Sequence, residues 1–208
     1  MGMAFQSIAE LGQPPYFQTL INQQQVTSPI FSFYLAKEGS ELYLGGTNPS
    51  LYTGEIEYYP ILSRSYWIIP GSVYVNGERV QYRRGPNCVI DTGTTIIIAP
   101  PKDAEAFWNQ VPGSARYDPA PAYWTYPCDT PPDVAFSFGT SSTMWSVSGA
   151  DLNLGRVAAG SETCVGALVG QDLGISAWIL GGSFMKNVYS VFDMGQSRVG
   201  FALPKGRE

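Results

Sequence analysis

Asp91 lies in the run Asn87-Cys88-Val89-Ile90-Asp91-Thr92-Gly93-Thr94-Thr95-Ile96-Ile97-Ile98, where a strand carries a carboxylate directly into a glycine turn. Apolar β-formers on both sides predict that the carboxylate is buried. Thr92, Thr94, Thr95 and the Gly93 backbone offer it hydrogen-bond donors. A buried ionisable group that keeps such partners is a candidate for proton-transfer chemistry, since groups of this kind collect at catalytic sites.

Other chemistries are excluded by what is missing. The chain contains no histidine, and both Ser-His-Asp and Cys-His hydrolysis need an imidazole as base. Histidine-type zinc sites fall with them, and the 3 cysteines cannot supply the four thiolates of an all-cysteine site. No Gly-x-x-x-x-Gly-Lys-Ser/Thr or Gly-x-Gly-x-x-Gly phosphate loop occurs. A hydrolase made of these residues must do its proton work with carboxylates, and no metal or cofactor is expected. The net charge of -5 and pI near 4.7 argue against nucleic acid as a partner, because no basic stripe can track the phosphates. Arg83-Arg84 reads as a solvated turn. Few lysines and an acidic balance suit work at low pH, and suit ordinary solubility equally well.

The elements that must hold Asp91 are short. Among 208 residues, 44% are apolar and 14% charged, with 23 Gly and 16 Pro punctuating brief apolar runs. That is the signature of an all-β protein with a few short helices. No apolar stretch approaches the ~18 residues of a membrane span, so no membrane partner is expected. The start, Met1-Gly2-Met3-Ala4-Phe5-Gln6, shows no secretion signal. Pro14-Pro15 ahead of Phe17, Leu20 and Ile21 predicts a short amphipathic helix. Period-two segments come next at Ile30 to Leu35 and Glu41 to Gly46, a hairpin across Gly39. Further strands are expected at Thr53 to Ile61, Ser65 to Ile69, Val73 to Val75 and Arg79 to Tyr82, the last two joined across Asn76-Gly77. After the Asp91 strand, Pro100-Pro101 opens a helix whose Ala104, Phe107, Trp108 and Val111 share a face. Residues 112 to 132 read as a long surface connection. Strands resume at Val134 to Phe138, Met144 to Val147, Cys164 to Val169 and Ala177 to Leu180. The last two are Val188 to Asp193 and Arg198 to Ala202. Cys88 reads as a free core thiol. The three cysteines allow three bridges, of which Cys128 with Cys164 would stabilise by ~4 kcal/mol on the chain-entropy model.

The hydrophobic-hydrophobic-Asp91-Thr92-Gly93-Thr94 run resembles the active-site loop of pepsin-family aspartic peptidases, in the form carried by their C-terminal lobe. The likeness extends over nearly the whole chain. Leu42-Tyr43-Leu44-Gly45-Gly46-Thr47 with Tyr52-Thr53-Gly54 and Pro60 is similar to the hairpin entering that lobe, and Tyr66-Trp67 to its tyrosine-tryptophan pair. Trp178-Ile179-Leu180-Gly181 is similar to the segment that threads past the active-site loop. Val191-Phe192-Asp193 and Val199-Gly200-Phe201-Ala202 are similar to its closing strands. Residues 1–28 resemble the end of the N-terminal lobe, and 29–208 the C-terminal lobe.

The resemblance implies an all-β fold, a single pepsin-like lobe or half-barrel, with Asp91 as one catalytic aspartate. Thr92 and Gly93 are implied to fix the loop, and Thr92 and Thr94 to hydrogen-bond near the carboxylate. Tyr66, Val89, Ile97 and Ile179 are candidates to line a substrate cleft, and equally candidates for ordinary core. A Cys128–Cys164 disulfide is implied, and with it a secreted or acidic vacuolar setting. Gly182 stands where family members often carry an aspartate, a change expected to alter the acid range of any activity. No second Asp-Thr-Gly or Asp-Ser-Gly occurs, although the family's chemistry takes two carboxylates sharing one proton. The chain therefore admits three readings: one lobe of a two-lobed endopeptidase, a self-paired homodimer, or an inactive lobe that binds peptides or proteins.

Overall fold

The computed structural model describes residues 2–120 and 122–206. Among them the chain runs through seventeen strands: β1 (Ile30–Tyr34), β2 (Glu41–Leu44), β3 (Tyr52–Pro60), β4 (Ile68–Val75), β5 (Glu78–Arg79), β6 (Asn87–Ile90), β7 (Ile97–Ala99), β8 (Ala115–Arg116), β9 (Trp124–Pro127), β10 (Val134–Phe138), β11 (Trp145–Val147), β12 (Asn153–Arg156), β13 (Thr163–Gly166), β14 (Leu168–Gly170), β15 (Trp178–Leu180), β16 (Tyr189–Asp193) and β17 (Arg198–Pro204). Four short α-helices intervene: α1 (Tyr16–Asn22), α2 (Pro101–Trp108), α3 (Gly149–Leu152) and α4 (Gly182–Met185). The fold is all-β with open sheets. It divides into two compact units, residues 1–69 with 188–208, and residues 70–187.

The first unit is built on a five-stranded sheet in the order β2-β1-β16-β17-β3, antiparallel throughout. Alternation along β1 and β16 sends two different cores to its two faces. On one face Phe31 stacks on Phe192 at 4.9 Å and takes Phe17 of α1 and Trp67 edge-on. On the other face Tyr189, Val191 and Ala202 pack with Ile30, Tyr52, Ile56 and Tyr58. Covering both faces is why every residue of β16 is buried. Ser32 and Tyr189 share a hydrogen bond of 2.7 Å inside that second core, and the Asn48 amide donates to the same phenol at 2.8 Å. The expected β1–β2 hairpin forms, with Phe31 opposite Leu44.

The second unit contains a sheet in the order β11-β10-β4-β6-β15-β7-β14, with β5 paired to β4, and a four-stranded sheet β12-β13-β9-β8. The Asn76-Gly77 turn takes positive φ at both residues, which right-twisted two-residue hairpins require, and it sets Val75 opposite Glu78. Phe184 meets Phe136 and Phe138 edge-on in the core of this unit, with Trp178 against Phe136. The disulfide joins Cys128 to Cys164, 36 positions apart, and Cys88 is a free, buried thiol.

Several expected elements differ. Residues 112 to 132 are not a surface connection: β8 and β9 lie there, and Trp124, Thr125 and Tyr126 are buried. Trp124 and Tyr126 stack on Trp108, so these aromatics are core, not loop decoration. Proline density misled the reading because the four-residue strand β9 is short and itself ends on Pro127. The Ser65 to Ile69 and Val73 to Val75 segments are one strand, β4, starting at Ile68 and running through Pro70 and Gly71. The expected Arg79 to Tyr82 strand shortens to Glu78–Arg79. Cys164 to Val169 divides into β13 and β14 at Ala167. Short α3, α4 and β12 carry no periodicity long enough to be read from sequence.

Candidate active site

Asp91 succeeds the last residue of β6, in a loop that leads to β7. Strand β15 lies between those two strands, parallel to β6 (Ile179 opposite Val89) and antiparallel to β7 (Ile179 opposite Ile98). The loop therefore arches over the end of β15. The Asp91 amide donates to the Leu180 carbonyl at 3.2 Å, which fixes the carboxylate to the tip of the central strand.

The chain leaving β15 then latches the loop from beneath. The amides of Gly181, Gly182 and Ser183 donate to the carbonyls of Ile96, Thr94 and Thr95 at 3.1, 2.8 and 2.9 Å. Such close approach leaves no room for a side chain: a Cβ on Gly181 would fall 2.2 Å from the Thr94 oxygen and 2.4 Å from that of Ile96. Asn187 in turn donates to the Ser183 carbonyl at 2.8 Å. At the other end of β15 the Trp178 indole donates to Asp103 at 3.0 Å, holding the strand to α2.

Within the loop the carboxylate has two donors. The Gly93 amide reaches Oδ1 at 2.9 Å and the Thr94 hydroxyl reaches Oδ2 at 2.7 Å. A Cβ on Gly93 would sit 3.1 Å from Oδ1, so a side chain there would press on the carboxylate and shift it. The carboxylate is half-buried rather than buried as expected, because it stands past the strand's end instead of between strands. One carboxylate so held can accept a proton from a water on its open side.

The remaining residues expected at the site are scattered. Among the described residues, Thr92 is exposed and makes no hydrogen bond to Asp91, contrary to expectation; Thr95 is exposed too. Val89 and Ile97 are 5% and 0% exposed, so they are packed in the core and do not line a cleft. Both belong to interior strands of the sheet, which accounts for their burial. Ile179 is half-buried in β15 beside the loop, and Tyr66 is exposed in the other unit. Sequence reasoning missed Ser183 and Asn187; the only signal was the small-residue run Gly181-Gly182-Ser183 after an apolar strand.

Known proteins that resemble the chain agree in kind. The family model for eukaryotic aspartyl protease matches residues 1–204. An aspartic protease of Phaffia rhodozyma is 44% identical over 97% of this chain and 50% of its own length. Major aspartyl peptidase 1 of Cryptococcus neoformans is 34% identical over 97% of the chain and 46% of its own length. Cathepsin D of Clupea harengus is 31% identical, with 97% and 53% covered. The chain thus spans about half the length of the curated relatives it matches.

Proposed function

The chain belongs to the eukaryotic aspartyl protease family, of pepsin type, and from that premise we propose that Asp91 is one of two catalytic aspartates of an endopeptidase. The observation that carries this reading is the carboxylate itself, held by Gly93 and Thr94 and open on its remaining side. Two carboxylates held close cannot both ionise comfortably, so one keeps a proton. The ionised member takes a proton from water as that water attacks the peptide carbonyl; the protonated member donates to the carbonyl oxygen. Asp91 alone fills only one of these roles. Its partner comes from residues outside these 208, either a first lobe or Asp91 of a second copy across a two-fold axis.

Thr94 orients the carboxylate, Gly93 lets the backbone reach it, and Ile179, beside the loop, contacts the polypeptide substrate. The disulfide supports a secreted or vacuolar setting, since such bonds persist in oxidising compartments. The test is hydrolysis of an unstructured protein at mildly acidic pH by the paired assembly. Asp91→Asn is expected to remove cleavage altogether. Thr94→Val is expected to slow it about tenfold, the worth of one hydrogen bond to a charged group. Undiminished cleavage by Asp91→Asn would overturn the proposal.

A further inference from the structure

The sequence contains a single pair of adjacent basic residues, Arg83-Arg84. The fold sets it in the connection from β5 to β6, within the second unit. Gln81, Arg83, Arg84 and Gly85 are all exposed. The connection is pinned at both ends: the Val80 amide donates to the Val73 carbonyl at 2.9 Å, and the Pro86 carbonyl accepts from the Gly71 amide at 2.8 Å. Between those pins, among the described residues, the backbone of residues 81–85 makes no hydrogen bond. Tyr82 tethers the middle by its ring, edge-on to Trp178 at 5.7 Å, but its hydroxyl is buried without a partner. Lifting the segment would return that hydroxyl to water, which offsets part of the lost ring contact. An endopeptidase has to draw several residues into extended form in its own cleft, and exposed backbone without hydrogen bonds yields most readily.

The two guanidinium groups are available as well. Arginines elsewhere are engaged: Arg64 donates to Ser197, Arg79 to Ser72 and Arg198 to Asp193, while Arg116 lies over Trp124. Among the described residues neither Arg83 nor Arg84 has an ion-pair or hydrogen-bond partner.

We propose that the Arg84–Gly85 bond is a processing site, cut by an endopeptidase of the class that recognises paired basic residues through adjacent acidic subsites. Carboxylates there meet each guanidinium in the forked geometry that favours arginine. Water adds across the bond: the C–N link breaks, Arg84 ends as a carboxylate, and Gly85 becomes a new amino terminus. The cut protein stays assembled, because residues 1–84 carry β1 to β5 and residues 85–208 carry β6 to β17. In the first unit β16 and β17 of the second fragment lie between β1 and β3 of the first. In the second unit β4 of the first fragment lies between β10 and β6 of the second. The disulfide falls wholly within residues 85–208, so the two fragments hold together without a covalent link. Asp91 keeps its place, since β6 remains paired with β15. Cutting here is independent of whether Asp91 is catalytic.

The experiment exposes the folded chain carrying Asp91→Asn, so that no cleavage of its own intervenes, to a purified subtilisin-type endopeptidase specific for paired basic residues. Mass spectrometry identifies the products at neutral pH, and a denatured sample of the same chain serves as control. The expected result is one cut, giving residues 1–84 and 85–208, which elute together under native conditions and part in denaturant without reductant. Arg84→Ala is expected to slow that cut about a hundredfold, because the acidic subsite then loses the cation it was built to meet. Circular dichroism confirms that the variant is folded. A folded chain that stays whole while the denatured control is cut overturns the proposal, as does equal cutting of Arg84→Ala. So does separation of the fragments under native conditions, which would make the bond a site of degradation instead of processing.

Discussion

Gly181 and Asp91 are the residues on which the site depends, and for opposite reasons. Asp91, which we propose to be catalytic, contributes little stability, because it is half-buried and its donors sit in its own loop. Gly181 contributes no chemistry but permits the loop to pass over β15. Replacing Gly181 with alanine forces a Cβ against two carbonyl oxygens of the backbone, which cannot yield as a flexible side chain would. We predict that Gly181→Ala loses about 3 kcal/mol in denaturant unfolding, typical of severe overpacking, and loses activity with it. A second prediction concerns alkaline pH. Burial pushes the Cys88 thiol up from its ordinary value of 9.0, and the Tyr126 and Tyr189 phenols up from 10.0. These groups stay protonated in the fold while the unfolded chain ionises, so unfolding releases protons and stability falls as pH rises. The thermal midpoint should hold to about pH 9 and then decline, with Cys88→Ala removing the earliest part of the decline.

Two elements are anchored by residues that pattern reading does not single out. Asp193, 2% exposed, ends β16 and accepts from Arg198 of β17 at 2.8 Å and from the Gln196 amide at 2.9 Å. Arg198 also lies over the Tyr58 ring at 3.7 Å. Arg198→Ala leaves a buried carboxylate without its counter-charge, and a loss of about 3 kcal/mol is expected in chemical unfolding. In the second unit the disulfide ties β13 to the residue just past β9. Replacing both cysteines by alanine should cost roughly 4 kcal/mol and lower the midpoint without abolishing the sheet. The hairpins were legible because turn residues and period-two alternation act locally, as at Gly39 and Asn76-Gly77. Strand β9 was not, because its burial comes from Trp108 of α2 and not from its own alternation, and β8 is two exposed residues with no pattern to read.

For the whole molecule, the motif around Asp91 and the order of the segments sufficed to place the chain in its family, and the match over residues 1–204 agrees. The position of Asp91 relative to β15 could not be read, because it depends on a parallel pairing between residues some ninety positions apart. Nor could the roles of Thr92, Val89 and Ile97, since which side of a loop or strand faces outward is decided by the sheet around it. On the proposed reading, function turns on stoichiometry, because the chain supplies one aspartate for a chemistry that takes two. The most direct measurement separates the purified protein by size and assays each fraction for peptide hydrolysis, with Asp91→Asn alongside. We predict cleavage only in fractions where a second polypeptide is bound, and none from the solitary 22.6 kDa species. Asp91-dependent cleavage by that solitary species would contradict the account.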